Sequence, residues 1–154
     1  MESVWDYPRP PRLERTTRRV TVRHAGVTVV DSVHCWRVLE TSHPPVYYVP
    51  RDAVADDVGL EPTVRRSWCE WKGEARYWDL VVGSDRVPEA AWSYDHPTGA
   101  YAELAGAVAF YPGRVDECRV DGERVVAQPG DFYGGWITGD IVGPFKGGPG
   151  TFGW

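Results

Sequence analysis

Short alternating apolar runs broken at glycine and proline, little helical periodicity and an Asp-Gly dipeptide between β-branched segments predict an all-β fold. The expected architecture is mainly antiparallel, a small barrel or a two-layer sandwich with short helical turns and extended terminal arms. A length of 154 residues with 42% hydrophobic content suits one domain with one core. The expected division is an extended Pro/Arg-rich arm over 1–17, a single β domain over 18–128 and a Gly/aromatic-rich arm or lid over 129–154.

Each element follows from its local pattern. WDYPRPPR (5–12) should run extended, because proline fixes φ and lacks the N–H for a ladder. RRVTVRH (18–24) and VTVVDS (27–32) flank Ala25-Gly26 and read as a hairpin, with Val20 and Val22 on one face and Arg19, Thr21 and Arg23 on the other. VYYVP (46–50) is a further strand, and its alternation sends Tyr47 and Tyr48 to opposite faces. RDAVADDV (51–58) suits a turn or two of helix. TVRRSWCEW (63–71), ARYWDLVVG (75–83) and RVPEAAWSY (86–94), rich in β-branched and aromatic residues, read as three strands. In YAELAGAVAFY (101–111) the first half favours helix and 107–111 strand. ECRV and RVVAQ surround Asp121-Gly122, which favours a type I′ turn because both central residues need positive φ. The last segment, 129–154, holds nine glycines and cannot form a core alone. It either wraps the domain with its aromatics as anchors or covers a cleft.

Composition narrows the function classes. A net charge of −5 argues against nucleic-acid and anionic-membrane partners, which are held by excess Lys and Arg. The one basic cluster, Arg9, Arg12, Arg15, Arg18 and Arg19, reads as a solvated outer face, with a protein partner or an acidic ligand as the alternative. Fifteen of the seventeen basic residues are Arg, so Lys72 and Lys146 stand out. Cys35, Cys69 and Cys118 are far apart with no CxxC, which suggests reduced thiols and a cytoplasmic location. No apolar run approaches the roughly 18 residues of a membrane span, and no secretory leader pattern is visible, so a soluble chain is expected. Oligomeric state is not indicated.

ETSHPPVYYVP (40–50), CEWKGEARYWD (69–79), AAWSY (90–94), VAFY (108–111) and VD (115–116), in that order, resemble the signature of a bacterial and fungal family called domain of unknown function 427. The resemblance covers about residues 18–126. It implies a compact, mainly β domain and brings with it a suggested nucleotidyltransferase label. Metal-dependent nucleotidyl transfer needs clustered carboxylates around Mg²⁺, usually a Gly-Ser turn feeding Asp-x-Asp. Here Gly83-Ser84 is followed by Asp85 alone and reads as a β-turn, while GPFKGGPGT (143–151) lacks the GK[ST] of a phosphate loop. Neither a metal nor a cofactor is expected.

The chemistry-bearing residues cluster in the first two blocks. Glu40 and His43 can form an acid–base pair in which the carboxylate holds the imidazole tautomer and raises its pKa. Cys69 could act as a nucleophile if His43 or Lys72 lies close enough to favour thiolate. Alternation would put Cys69 and Trp71 on one face, Trp68 and Glu70 on the other, and would split Tyr77 from Trp78. Tyr47, Tyr48, Trp71, Tyr77, Trp78, Trp92 and Tyr94 are candidate ligand-binding aromatics, and Lys72 is the candidate cation at the mouth. Each has a structural counterpart: Pro44-Pro45 as a tight corner, with cis geometry open to an X-Pro bond there, His43 as a cap on that corner, Lys72 as a solvated turn residue. The expected role is binding of a small, partly apolar metabolite, with acid–base chemistry on it. The alternative is a structural or interaction module. An enclosed polar-lined cavity would favour the first, an exposed aromatic patch the second.

Overall fold

The computed structural model describes residues 1–154. Its strands are β1 (Glu2–Ser3), β2 (Arg12–Thr16), β3 (Val20–His24), β4 (Val27–Ser32), β5 (Cys35–Leu39), β6 (Val46–Tyr48), β7 (Gly59–Cys69), β8 (Gly73–Val82), β9 (Asp85–Ser93), β10 (Val108–Phe110), β11 (Glu117–Val120), β12 (Glu123–Arg124), β13 (Val126–Ala127), β14 (Trp136–Ile137) and β15 (Ile141–Val142). Helix is limited to 3₁₀ turns at Val4–Asp6, Arg51–Ala53 and Gly99–Leu104. No helix is long and apolar enough to cross a membrane.

The architecture is an antiparallel sandwich and not a closed barrel. One layer runs β10-β9-β8-β7, the other β12-β11-β3-β4. A third ladder, β2-β5-β6, joins the first layer where Val49 and Val108 exchange both backbone hydrogen bonds, at 2.8 and 2.9 Å. The Asp121-Gly122 turn carries the expected positive φ (49° and 82°), and the Ala25-Gly26 turn has it too (50° and 78°).

The first layer is apolar on both faces, and that two-sidedness places the site. Tyr47, Val49, Leu80, Val82, Val108 and Phe110 face the main core, against Val20, Val22 and Cys118 of the opposite layer. Their strand neighbours Tyr48, Tyr77, Trp92, Ala109 and Tyr111 form a second cluster on the other face with Tyr101 and Leu104. The split of Tyr47 from Tyr48, and of Tyr77 from Trp78, is therefore the one that alternation predicts.

The ends are more structured than an extended arm. Residues 12–16 form β2 and pair with β5 along its whole length, while β1 pairs parallel with β15. Arg37, 5% exposed, ties them together by ion pairs to Glu2 at 3.1 Å and Glu14 at 2.5 Å. In the last segment Trp136 is fully buried and donates its indole N–H to the Phe110 carbonyl at 3.1 Å. The five clustered arginines each meet a carboxylate: Arg9 with Glu40, Arg12 with Glu14, Arg15 with Glu103, Arg18 with Asp140 and Arg19 with Asp31. Cis peptide bonds occur at Arg9-Pro10 and Gly143-Pro144, and the bonds preceding Pro44 and Pro45 are trans.

Candidate functional site

Above the second aromatic cluster lies a cavity of about 270 Å³. Its floor is the sheet itself. Tyr48 of β6, Tyr77 of β8, Trp92 of β9 and the flanking Tyr94 and Tyr111 all present rings to it. Their polar ends are pinned. Trp92 donates its indole N–H to the Tyr48 hydroxyl at 3.2 Å, Tyr77 shares a hydrogen bond with Ser67 at 2.8 Å, and Tyr111 donates to the Phe132 carbonyl at 2.9 Å. Burial pushes the Tyr48, Tyr94 and Tyr111 phenols well above their usual range, so all three are neutral at physiological pH.

One wall comes from residues 69–72. β7 ends at Cys69, which pairs with Gly73, so Glu70, Trp71 and Lys72 form the hairpin loop to β8. Strict alternation over 68–71 therefore fails. The loop curls over the cavity, and Cys69, Glu70, Trp71 and Lys72 all line it. Thr98 clamps the loop, its hydroxyl donating to the Trp71 carbonyl and its N–H to the Lys72 carbonyl at 3.2 Å. Lys72 is consequently no solvated turn residue. It is 8% exposed, its Nζ lies 5.6 Å from the Tyr94 ring centroid, and it makes no hydrogen bond or ion pair within the protein. The Cys69 sulfur makes no hydrogen bond to His43 or Lys72. It lies instead beside Tyr48 and Tyr94.

The facing wall is the Pro44-Pro45 corner. His43, 6% exposed, lines the cavity with Glu40, Pro44 and Val46. Its Nδ1 lies 3.0 Å from the Thr41 carbonyl and 3.9 Å from the Glu40 carboxylate. The ring is thus oriented chiefly by a backbone carbonyl, which fixes the proton on Nδ1 and leaves Nε2 without a protein partner. Glu40 itself is engaged by Arg9 at 3.3 Å. The expected rise in the His43 pKa does not occur. Burial pushes it below 6.5, Glu40 and the Thr41 carbonyl pull upward, and Lys146 and Arg9 push further down.

The third wall was missed from sequence. Phe132, Tyr133 and Lys146, all in the glycine-rich segment, line the same cavity. Tyr133 stacks edge-on against His43 at 4.7 Å, and the Lys146 Nζ lies 5.4 Å over its ring. Gly134 and Gly135 allow this approach. Gly134 has φ +71°, and a Cβ there would lie 2.5 Å from the Trp92 ring; at Gly135 it would lie 2.9 Å from Pro44. The segment is both anchored by Trp136 and placed over the cleft, which the Tyr-Gly-Gly-Trp run signals only in retrospect.

Two proposed binding aromatics lie elsewhere. Tyr47 faces the main core, its ring 5.1 Å from Trp136 and its hydroxyl accepting from Arg18 at 3.4 Å. Trp78 packs at the edge of that core and donates to Ser93 at 2.9 Å. Glu40, His43, Cys69 and Lys72, with Tyr48, Trp71, Tyr77, Trp92 and Tyr94, do meet at one cavity.

The donor set does not fit a metal–triphosphate site, since no three His, Cys, Asp or Glu side chains converge to hold an ion. Gly83-Ser84 forms the β8–β9 turn, with Val82 paired to Asp85 and Asp85 bound to His24 at 2.6 Å. A family model described as domain of unknown function (DUF427) matches residues 12–121. No curated protein matches the chain.

Proposed function

The chain belongs to the DUF427 family, and we propose that it binds a small, partly apolar metabolite in the aromatic cavity, with His43 as the acid–base group. The observation that carries this reading is the meeting of a neutral imidazole with a free Nε2 and a lysine Nζ without a protein acceptor above a floor of pinned aromatic rings. Such a floor supplies apolar contact without loss of side-chain freedom, and a few fixed polar groups orient the ligand. Lys72 suits a ligand oxygen, carbonyl or carboxylate, placed where its Nζ lacks an acceptor. His43 can take a proton at Nε2 while Thr41 holds the other nitrogen. A half-open cleft in which a few polar side chains stand among aromatic rings supports this role over that of an interaction module.

The test is a screen of small aromatic aldehydes, ketones and carboxylates by two-dimensional ¹H–¹⁵N NMR. His43→Ala and Lys72→Ala should each weaken a bound compound at least tenfold, about 1.4 kcal/mol, with little change in thermal stability. Unchanged affinity in both variants would show that the cavity groups do not recognise the ligand.

A further inference from the structure

Building on that binding role, we propose that Lys72 is a nucleophilic amine that condenses with an aldehyde or ketone ligand to form an iminium. The argument begins with the distribution of cations. Twelve of the fifteen arginines sit in ion pairs with exposed or partly exposed carboxylates. The only two lysines line one cavity, and neither pairs with an Asp or Glu side chain. A guanidinium cannot lose its proton in a protein, whereas an amine can, and it then carries a nucleophilic lone pair. Lysine is thus confined to the place where that chemistry has a use.

The two lysines differ. Lys146 donates to the Trp154 carbonyl oxygen at 3.0 Å and is fixed by that contact. Lys72 has no acceptor, although more than nine-tenths of its surface is buried, and it lies among apolar rings against the Tyr94 face. No Asp or Glu carboxylate lies within ion-pair distance of its Nζ. The reaction balances without a co-reactant. The ammonium gives up a proton, and the Nζ lone pair adds to the carbonyl carbon while the C=O π pair moves to oxygen and is protonated. The nitrogen, cationic after the addition, then loses a second proton, and the lone pair so formed expels the hydroxyl, which takes up that proton and leaves as water. In sum, ammonium and carbonyl give iminium and water, with no net change in protons or electrons. Nζ is cationic both in the starting ammonium and in the final iminium, so the Tyr94 ring favours product as it favours reactant. The Nε2 of His43 is the base in the same cavity able to take the first proton and return it to the departing oxygen.

The experiment uses the full chain, benzaldehyde and sodium cyanoborohydride, with benzyl alcohol as a probe that can occupy the cavity but cannot condense. With only two lysines, peptide mass mapping is unambiguous. One benzyl group should appear on Lys72, about tenfold faster than on Lys146 or the N-terminal amine. Lys72→Arg should abolish that modification, and Arg51→Ala, at an exposed position outside the cavity, should leave it. Absence of a Lys72 adduct, or labelling no faster there than on Lys146, overturns the proposal. If benzyl alcohol nevertheless shifts the amide signals of residues 70–72, the binding role survives and only the condensation falls. If neither compound perturbs those signals, both fail.

Discussion

His43 carries the clearest pH signature among single residues. Its folded-state pKa lies below the 6.5 of an exposed imidazole, with burial the leading cause. Binding or turnover that uses the neutral ring should hold steady above about pH 6.5 and fall below it. An imidazole NMR titration with a midpoint above 6.5 would contradict this. The unfolded chain takes up more protons between the two pKa values, so stability drops as pH falls from about 6.5 through the folded value, and His43→Gln should remove that component. The two adjacent tyrosines give a second test. Tyr48→Phe removes the acceptor of Trp92 in the cavity floor and should weaken ligand binding. Tyr47→Phe removes a contact of Arg18 on the other face and should cost stability alone, about 0.5–1.5 kcal/mol; equal effects on binding would contradict the facial assignment. That the two differ was legible from strand alternation. Which of them faces the cavity was not, because both faces of β6 are buried. Nor could sequence show the burial of Lys72, which depends on a clamp from Thr98, distant in the chain.

At the level of elements, the site depends on two loops held from outside themselves. Thr98→Val keeps the shape of the side chain but loses the hydroxyl bond to the Trp71 carbonyl. It should cost about 0.5–1.5 kcal/mol in chemical unfolding and also weaken binding, because Lys72 is no longer held over Tyr94. Gly135→Ala pushes a Cβ against Pro44 and the Gln128 side chain. It should destabilise by about 1–3 kcal/mol and displace Tyr133 from the wall; a neutral effect on both stability and binding would mean that the segment does not shape the cavity. The strands that sequence reading did not find fail for identifiable reasons. CWRVL of β5 is the central strand of its ladder and has little exposed surface, so it shows no alternation. RLERT of β2 is mostly charged, and its register is set by pairing with β5 and by the Arg37 ion pairs. The hairpins, by contrast, carry their turn chemistry locally at Ala25-Gly26 and Asp121-Gly122.

Across the whole molecule, the chain ends close the structure around its first layer. Arg37, among Glu2, Glu14 and Tyr47, joins β1, β2 and β5, and Arg18 reaches Asp140 of the last segment. Arg37→Ala removes the charged hydrogen bonds to the partly exposed Glu2 and Glu14 and should destabilise by about 1.5–3 kcal/mol. Burial pushes the Glu2 and Asp140 carboxyls up, but their arginine and hydroxyl partners more than offset it, and both end below their usual values. Their stabilising contribution is present above the unfolded values of 4.5 and 3.8 and is lost as pH falls through the folded ones. These clamps make the cavity a product of the entire chain, since its walls come from residues 40–46, 68–72 and 132–146. The most direct test of its role is therefore an amide-resolved NMR titration of the full chain with the small aromatic aldehydes, ketones and carboxylates named above. Binding in the cavity predicts that at least one compound shifts the Trp92 indole signal together with amides of all three walls, and that Lys72→Ala abolishes the coincidence. Shifts confined to the exposed surface, or a pattern unchanged in Lys72→Ala, would contradict it.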